Sequence, residues 1–383
     1  MLAGVLREVM PGENRVALTP EGVGKLTRLG IEVVVEAGAG TAAGFSDAEY
    51  LEKGAAIEPQ ASAVLSRANL LLKVQPPMRR ADGVDEQAML REGQVLVAPL
   101  MPLTSHELVR SLAKSKVTAF SLDMIPRITR AQSMDILSSM ATLAGYKAVL
   151  LSAAALPRMF PLMMTAAGTL PAARVFVIGA GVAGLQAIAT ARRLGAVVSA
   201  FDTRPVVKEQ VQSLGAKFIE IQVGGGEGQG GYARELTPEE QERQRTLMGD
   251  TVAASDVVIT TAAVPGRRAP MLIPEDVVKR MRPGTVIVDL AAETGGNCAL
   301  TVAGETVVRH GVTIIGPRNL PSSMAFDASQ MFSRNVCAFL SAVYPKGQAT
   351  ENTDDDVVRG ALITRGGEVV HEAVAKALAA PAA

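Results

Sequence analysis

Cysteine and histidine are scarce in this chain of 383 residues, which contains two cysteines and three histidines. Cys298 and Cys337, beside sixteen methionines, do not form the disulfide framework of a secreted domain and instead fit a reducing compartment. The histidines show no metal-ligand spacing. We therefore expect no metal site and two cysteines that are packed rather than reactive.

An excess of charge of one sign is also lacking, because 38 basic residues balance 38 acidic residues. A strongly basic chain would suit nucleic acid or an anionic membrane surface, and this chain is not of that kind. We expect no nucleic-acid partner.

Long uninterrupted hydrophobic runs are missing as well. The most apolar region, residues 141–173, is interrupted by Lys147, Arg158 and three prolines, so no direct membrane span is expected. Near the amino terminus, Arg7 and Glu8 end the first apolar run early, which is unlike a signal peptide. These features predict a cytoplasmic protein.

What is present is a complete dinucleotide-binding pattern between Arg174 and Arg204. A short β-branched run precedes the sequence G-A-G-V-A-G at residues 179–184, a helical pattern follows, and a second strand ends at Asp202. In such a unit the first glycine permits a tight turn, the second lets a pyrophosphate approach the backbone, and the third lets the helix pack on the strand. The predicted cofactor contacts are Gly179, Ala180, Gly181, Val182 and Gly184.

The acid at the end of the second strand predicts which cofactor is bound. Asp202 is placed to accept hydrogen bonds from the adenosine ribose, and its carboxylate would repel a 2′-phosphate, so NAD(H) is favoured over NADP(H). Arg204, two residues later, is able to neutralise such a phosphate. Thr203 lies between them and completes this group of candidate contacts.

The alternation of strands and helices predicts an α/β fold with two Rossmann-like, doubly wound parallel-sheet domains and a cleft between them. The first domain is predicted at residues 1–130 plus 330–383, and the NAD(H)-binding Rossmann domain with connecting helices at 131–329. A long helix is expected from Ala131 to about Ala155. Near the carboxyl terminus, strands are expected at 357–364 and 368–370.

A glycine cluster at residues 223–232 ends in Tyr232. So many glycines disfavour a single ordered conformation, which predicts a mobile loop that carries one large amphipathic side chain. Such a loop on a cofactor domain is either a lid or a disordered excursion, and the lid is favoured.

Polar side chains recur every three residues at Gln132, Asp135 and Ser138, with Arg127 in the preceding turn. On a helix this spacing puts the three on one face, where they would line a cleft or form a solvated surface. The spacing alone does not choose between these alternatives.

Several strings distributed along the chain bear on that choice. They are R-I-T-R-A-Q-S-M-D-I-L-S-S, G-A-G-V-A-G, F-D-T-R-P-V-V-K-E-Q, G-G-Y-A-R-E, I-T-T-A-A-V-P-G and V-D-L-A-A-E-T-G-G. Together they resemble the NAD(H)-binding component, the alpha subunit, of proton-translocating nicotinamide nucleotide transhydrogenase. The resemblance covers essentially the whole chain.

The resemblance implies roles for individual residues. It places Arg127, Gln132, Asp135 and Ser138 at the nicotinamide end of NADH, and Tyr232 on a loop that closes over the nucleotide. It also implies nucleotide contacts from Gly231, Gln244 and Ala263.

Alanine dehydrogenase, a relative with the same architecture, is the alternative. Arg15 and Lys73 match the substrate-binding arginine and lysine of that family, but methionine stands at position 101 where the family has its acid/base histidine. Glu293 likewise replaces an aspartate. Reductive amination needs a proton donor and acceptor at the reacting carbon, whereas direct hydride transfer between two nicotinamides needs proximity and orientation.

The resemblance therefore implies an enzyme component that passes hydride from NADH to NADP⁺. The NADP(H) would be held by a partner component, and membrane-spanning components would couple the transfer to proton translocation. The chain is expected to be a homodimer, peripheral to the cytoplasmic face of the inner membrane. An NAD-sensing module without transfer activity is a third possibility, and the roles of Arg15 and Lys73 stay open.

Overall fold

The computed structural model describes residues 1–220, 237, 239, 248–263, 268–345 and 354–379. These residues form two compact units, Met1–Met140 with Pro321–Ala383, and Ala141–Leu320.

The strands are labelled in chain order. They are β1 (Leu2–Val5), β2 (Glu32–Glu36), β3 (Ala56–Glu58), β4 (Leu70–Leu72), β5 (Val95–Ala98), β6 (Thr118–Ser121), β7 (Met163–Thr165), β8 (Gly168–Leu170), β9 (Arg174–Ile178), β10 (Val197–Phe201), β11 (Lys217–Phe218), β12 (Val257–Thr260), β13 (Val286–Asp289), β14 (Thr306–Arg309), β15 (Val312–Ile315), β16 (Leu362–Arg365) and β17 (Glu368–Val369).

The helices whose full extent lies in the described residues are labelled in the same way. They are α1 (Pro20–Arg28), α2 (Asp47–Glu52), α3 (Ala61–Arg67), α4 (His106–Lys114), α5 (Ile136–Ala155), α6 (Val182–Arg193), α7 (Val207–Ser213), α8 (Glu275–Arg280), α9 (Ala325–Val343), α10 (Asp356–Ala361) and α11 (Glu372–Ala379). Residues 248–254 are also helical.

The first unit contains an eight-stranded sheet in the order β17-β16-β6-β5-β4-β1-β2-β3. Strands β1 to β6 pair in parallel, and β16 pairs with β6 in the antiparallel direction. Alternate residues face opposite sides, so Val33 and Val35 belong to one apolar cluster while Val34 belongs to another. Both faces of the sheet are therefore buried, as expected for parallel strands.

The second unit contains a seven-stranded sheet in the order β11-β10-β9-β12-β13-β15-β14. All pairs are parallel except β14–β15. Val175 and Val177 of β9 pack into one cluster and Phe176 and Ile178 into a second, so this sheet too is covered on both faces. The strand order reverses between β9 and β12, and ligands of open α/β sheets bind at such a switch point. The predicted α/β fold with two doubly wound parallel sheets is confirmed.

Local sequence signals account for several boundaries. Ser46 begins α2 with a capping box, because its hydroxyl accepts from the Glu49 N–H while the Glu49 carboxylate accepts from the Ser46 N–H. The strand expected over residues 357–364 is wrong in its first half, where α10 forms. Asp355 caps that helix by accepting hydrogen bonds from the N–H groups of Val357 and Val358.

Helix α5 is long and apolar enough to cross a membrane, with 20 residues and a mean hydropathy of 1.4, although it contains Lys147. Buried helices of globular proteins meet the same criteria. This helix alone does not assign the chain to a membrane.

Candidate functional site

The glycine turn lies where β9 ends and α6 begins. Gly179 has φ +97°, in the left-handed region, and a Cβ there would collide with Thr261 Oγ1. A Cβ on Gly184 would collide with the Gly179 carbonyl oxygen. Neither position has space for a side chain, so the turn and the packing of α6 on β9 both require glycine.

Gly181 is placed differently, since the nearest atom to a Cβ there would be Arg204 Nη2 at 4.0 Å. It is the N-cap residue of α6, which continues for 12 residues from Val182. The first-turn N–H groups of a helix have no intrahelical acceptors, and their dipole end is positive. This backbone, with room above Gly181, fits a pyrophosphate.

Asp202 follows β10 and reaches the glycine turn. Its Oδ2 accepts from the Ala180 N–H at 2.8 Å, and its Oδ1 accepts from the Arg204 N–H at 2.9 Å. The Arg204 guanidinium also pairs with the carboxylate, with Nη2–Oδ2 at 3.0 Å. Asp202 thus lies directly after β10 and beside the glycine turn, as the sequence predicts, and its negative charge is compensated by Arg204.

Thr203 provides an unused polar atom beside this ion pair. Its Oγ1 is buried and has no hydrogen-bond partner among the described residues. Buried polar atoms are normally satisfied, so an unpartnered hydroxyl here fits a site that a polar ligand completes.

The end of β12 forms the other wall of the turn. Thr261 donates from N to the Ile178 carbonyl at 2.9 Å and from Oγ1 to the Gly179 carbonyl at 3.1 Å. Ala263, two residues further, is exposed. The candidate residues of this unit that the structure describes therefore lie just after the ends of three adjacent strands, β10, β9 and β12, or in the first turn of α6.

The polar residues of the first unit do not share one helix face as predicted. A 3₁₀ helix, Thr129–Met134, carries Gln132, and α5 begins at Ile136. Asp135, between them, has an extended backbone with ψ 94° because its carboxylate caps α5. Its Oδ1 accepts from the Ser138 N–H at 2.9 Å, and its Oδ2 accepts from the Ser138 hydroxyl at 2.6 Å. The continuous helix expected from Ala131 is wrong for this reason. Arg127 and Gln132 are exposed.

Three candidates, Gly231, Tyr232 and Gln244, lie outside the described residues, as does the glycine-rich loop itself.

A buried network of ion pairs and hydrogen bonds holds Arg15 and Lys73, because Gln75 donates to both Glu8 and Glu13. The Arg15 guanidinium pairs with Glu13 at 2.7 Å, and Lys73 Nζ lies 3.1 Å from Glu8 and 3.0 Å from Glu86. Arg80 extends the network to Glu36. Burial opposes the charged form of Lys73, but the two carboxylates outweigh it and raise its pKa. These contacts favour structural roles for Arg15 and Lys73.

The acidic members of this network were not predicted from the sequence. The sequence does contain a signal for them. Glu8 follows β1, Glu36 ends β2 and Lys73 follows β4, and these three strands are parallel neighbours, so their carboxyl ends lie at the same edge of the sheet. Burial opposes the ionisation of Glu13, but hydrogen bonds from Arg15 outweigh it and lower the pKa of Glu13 to about 2.

Met101 lies beyond the end of β5 in a left-handed conformation, with φ 47°, and its residue surface is 51% exposed. A thioether neither donates nor accepts a proton at neutral pH. In the described part of the chain no group of three or more histidine, cysteine, aspartate and glutamate side chains is arranged to hold a metal ion.

Known proteins resemble this chain along its length. Residues 4–144 match the family described as "Alanine dehydrogenase/PNT, N-terminal domain", and residues 148–372 match the corresponding C-terminal domain. An NAD(P) transhydrogenase subunit alpha protein of Rhodospirillum rubrum is 48% identical, over 98% of this chain and 99% of that protein. An alanine dehydrogenase of Mycolicibacterium smegmatis is 31% identical, over 100% and 98%.

A solved transhydrogenase structure from Sinorhizobium meliloti matches with a TM-score of 0.84 and 43% identity, covering 97% of this chain and 100% of that one. The two sheets and the glycine turn define a two-domain protein of the class that binds nicotinamide nucleotides. The chain belongs to the alanine dehydrogenase/PNT family, and within it to the NAD(P) transhydrogenase alpha subunits, with alanine dehydrogenase a more distant relative. The resemblance inferred from the sequence is confirmed.

Proposed function

We propose that this chain is the NAD(H)-binding component of a proton-translocating transhydrogenase and passes hydride from NADH to NADP⁺ bound on a partner component. The observation that carries the proposal is the dinucleotide cradle at Gly179–Gly184. The resemblance adds that Met101 stands where alanine dehydrogenase has its acid/base histidine. Hydride transfer between nicotinamides needs alignment and no proton at the reacting carbons, so a site without that base is sufficient.

Each part of the cradle has a task in this proposal. The amino-terminal turn of α6 binds the pyrophosphate, Asp202 accepts hydrogen bonds from the adenosine ribose, and Thr203 supplies its unpartnered hydroxyl. Bound NADH supplies the hydride. At its nicotinamide end, Gln132 both donates and accepts hydrogen bonds through its exposed amide, while Arg127 and the Asp135–Ser138 pair hold the ring in register.

The proposed partners are an NADP(H)-binding component and membrane-spanning components that couple the transfer to proton movement. The Rhodospirillum rubrum relative is named as a subunit, which supports a multi-subunit enzyme. In this assembly the chain is peripheral to the cytoplasmic face of the membrane.

A second copy of the chain is also included in the proposal. The two-stranded sheet of β7 and β8 is exposed along both strands and presents apolar side chains, with Leu162 57%, Met164 77% and Leu170 50% exposed. Clustered apolar residues on a small exposed hairpin are typical of an interface, and most soluble oligomers are symmetric homo-oligomers.

The decisive experiment compares two reactions of the purified protein. With NADH, NADP⁺ and the NADP(H)-binding component, we expect NADPH to form; with NAD⁺ and alanine, we expect no NADH. Alanine-dependent NADH formation would establish the dehydrogenase alternative, and tight NADH binding without transfer would indicate a nucleotide-sensing module.

The orienting role is tested with Gln132→Asn. The shorter side chain would misalign the nicotinamide ring, and small misplacements of reacting groups lower rates strongly. The kcat for transfer should therefore fall at least about tenfold, while the Kd for NADH should stay within about twofold of wild type. Gln212→Asn, at an exposed glutamine of α7, is the matched control. Transfer at the wild-type rate in Gln132→Asn would contradict this role.

A further inference from the structure

Asn297 is a fully buried polar residue with no role in the site described so far. Its Oδ1 accepts from the Ala262 N–H at 3.1 Å, and its Nδ2 donates to the carbonyls of Ala262 and Pro270, both at 2.8 Å. The amide orientation follows from these partners, because the flipped amide would turn its oxygen toward two carbonyl oxygens. One side chain thus pairs with both main-chain polar groups of Ala262.

Ala262 lies in the short segment between the end of β12 and Ala263. On one side of it, Thr261 is bound to the carbonyls of Ile178 and Gly179. On the other side, Asn297 holds Ala262 itself. The main chain before Ala263 is therefore fixed from two directions.

Asn297 is in turn held by Asp289, which is fully buried at the end of β13. Asp289 Oδ2 accepts from the Asn297 N–H at 2.8 Å and from the Thr301 hydroxyl at 2.7 Å, and Oδ1 accepts from the Thr260 hydroxyl at 2.8 Å. A chain of hydrogen bonds runs from β13 through Asn297 to the end of β12. Such connected buried networks rigidify the segments that they join.

We propose that Asn297 is a positioning residue for the dinucleotide: it fixes the main chain at Ala262 and Ala263 against the glycine turn and so sets how well NAD(H) fits. The inference rests on the proposed nucleotide contact of Ala263. Asn297 acts through the loop without touching the nucleotide, because its amide is taken up by Ala262 and Pro270.

The test measures the Kd for NADH in Asn297→Asp and Asn297→Ser. Aspartate still accepts from the Ala262 N–H, but it cannot donate to the two carbonyls and places a charge against them. Losing these two hydrogen bonds would displace the loop, so the Kd should rise about tenfold, which corresponds to about 1.4 kcal/mol. Serine, which adds no charge, should raise it by about three- to tenfold and serves if the aspartate variant does not fold.

Thr301→Val is the matched control. It removes a hydrogen bond to the same Asp289 but none to Ala262. It should lower the melting temperature while the Kd for NADH stays within about twofold of wild type. An unchanged Kd in folded Asn297 variants, or an equal rise in Thr301→Val, would overturn the inference.

Transfer to NADP⁺ is measured separately with the partner component. If the wild type binds NADH and transfers no hydride, the proposed function fails while the binding result for Asn297 stands. If transfer proceeds and the Asn297 variants bind NADH normally, the positioning role fails alone.

Discussion

Arg204 donates two side-chain hydrogen bonds to the carboxylate of Asp202, from Nε to Oδ1 at 3.0 Å and from Nη2 to Oδ2 at 3.0 Å. Both residues belong to the segment that is proposed to read the adenosine ribose. The carboxylate would repel a 2′-phosphate, and the guanidinium would attract one. We therefore propose that selectivity between NAD(H) and NADP(H) depends on this ion pair as a unit.

Replacing Asp202 with asparagine should narrow the preference for NADH over NADPH. The variant loses a charged acceptor for the ribose, worth about 1.5–3 kcal/mol, so the Kd for NADH should rise at least about tenfold. The Kd for NADPH should fall, because Arg204 loses its ion pair with Asp202 and the repulsion of the 2′-phosphate is removed. Fluorescence titration with each nucleotide measures both constants.

Asp250→Asn is the control for this experiment, because Asp250 also pairs with an arginine of the same unit, Arg280, and its side chain is 83% exposed. It should leave both constants unchanged. If Asp202→Asn kept the wild-type ratio of the two constants, Asp202 would not be the residue that selects the cofactor.

At the Asp135–Ser138 pair, the role of Asp135 as the cap of α5 can be tested separately from its proposed role at the nucleotide. Asn is as good an N-cap as Asp, so Asp135→Asn should keep the melting temperature close to that of wild type. The change removes the negative charge, and hydrogen bonds to charged groups are about twice as strong as neutral ones. The proposed contact of Asp135 at the nicotinamide end would therefore weaken, so kcat/KM for transfer should fall about tenfold. Differential scanning fluorimetry and the coupled transfer assay give the two values.

Ser46→Ala makes the complementary change in the same unit. It removes the cap of α2, so it should cost about 1 kcal/mol of stability and leave transfer unchanged. If Asp135→Asn lowered stability and transfer together, as a cap loss does, then Asp135 would be a capping residue without a role at the nucleotide.

Much of the fold could be predicted from the sequence because its signals are local. The β-branched runs predict β9 and β12, the glycine spacing predicts the turn at Gly179, and Ser46 with Glu49 predicts the start of α2. The buried network around Lys73 was harder to predict, because its members come from separate strands and meet only after the sheet has formed.

Errors arose where a short polar side chain overrode the hydrophobic pattern. Asp135 and Asp355 each accept hydrogen bonds from N–H groups of the following turn and so begin a helix. At Asp135 the hydrophobic pattern had predicted one continuous helix, and after Asp355 it had predicted a strand. The exposed hairpin of β7 and β8 was also missed. Its apolar residues do not alternate with polar ones, so the pattern indicated only an apolar segment.

The exposed hairpin predicts where a dimer can be disrupted. Met164→Glu places a charge on the most exposed apolar side chain of β7, and a desolvated charge at an interface is costly. We expect the sedimentation coefficient to shift from that of a dimer to that of a monomer at micromolar concentration.

Val308→Glu adds the same charge to β14, where Val308 is 60% exposed, and should leave the dimer intact. A monomeric wild-type protein, or equal dissociation in both variants, would contradict a dimer built on the hairpin.

Stability below neutral pH should depend on the ion pair between Glu13 and Arg15. Burial opposes the ionisation of Glu13, but Arg15 lowers its pKa from 4.5 to about 2. A carboxyl with a lowered pKa in the folded state contributes stability that is fully present above pH 4.5 and is lost as the pH falls toward 2. Since one pKa unit corresponds to about 1.4 kcal/mol, the contribution is about 3 kcal/mol at most.

Glu13→Gln should therefore be less stable than wild type at pH 7, where it removes the ion pair with the buried Arg15, and the difference should shrink as the pH falls below 4.5. Urea unfolding at pH 7, 5, 4 and 3 measures it. Glu92→Gln, which removes an exposed partner of Lys116, should show little difference at any of these values. If the difference between Glu13→Gln and wild type stayed constant from pH 7 to pH 3, Glu13 would bind protons equally in the folded and unfolded states. The ion pair would then not be the source of acid sensitivity.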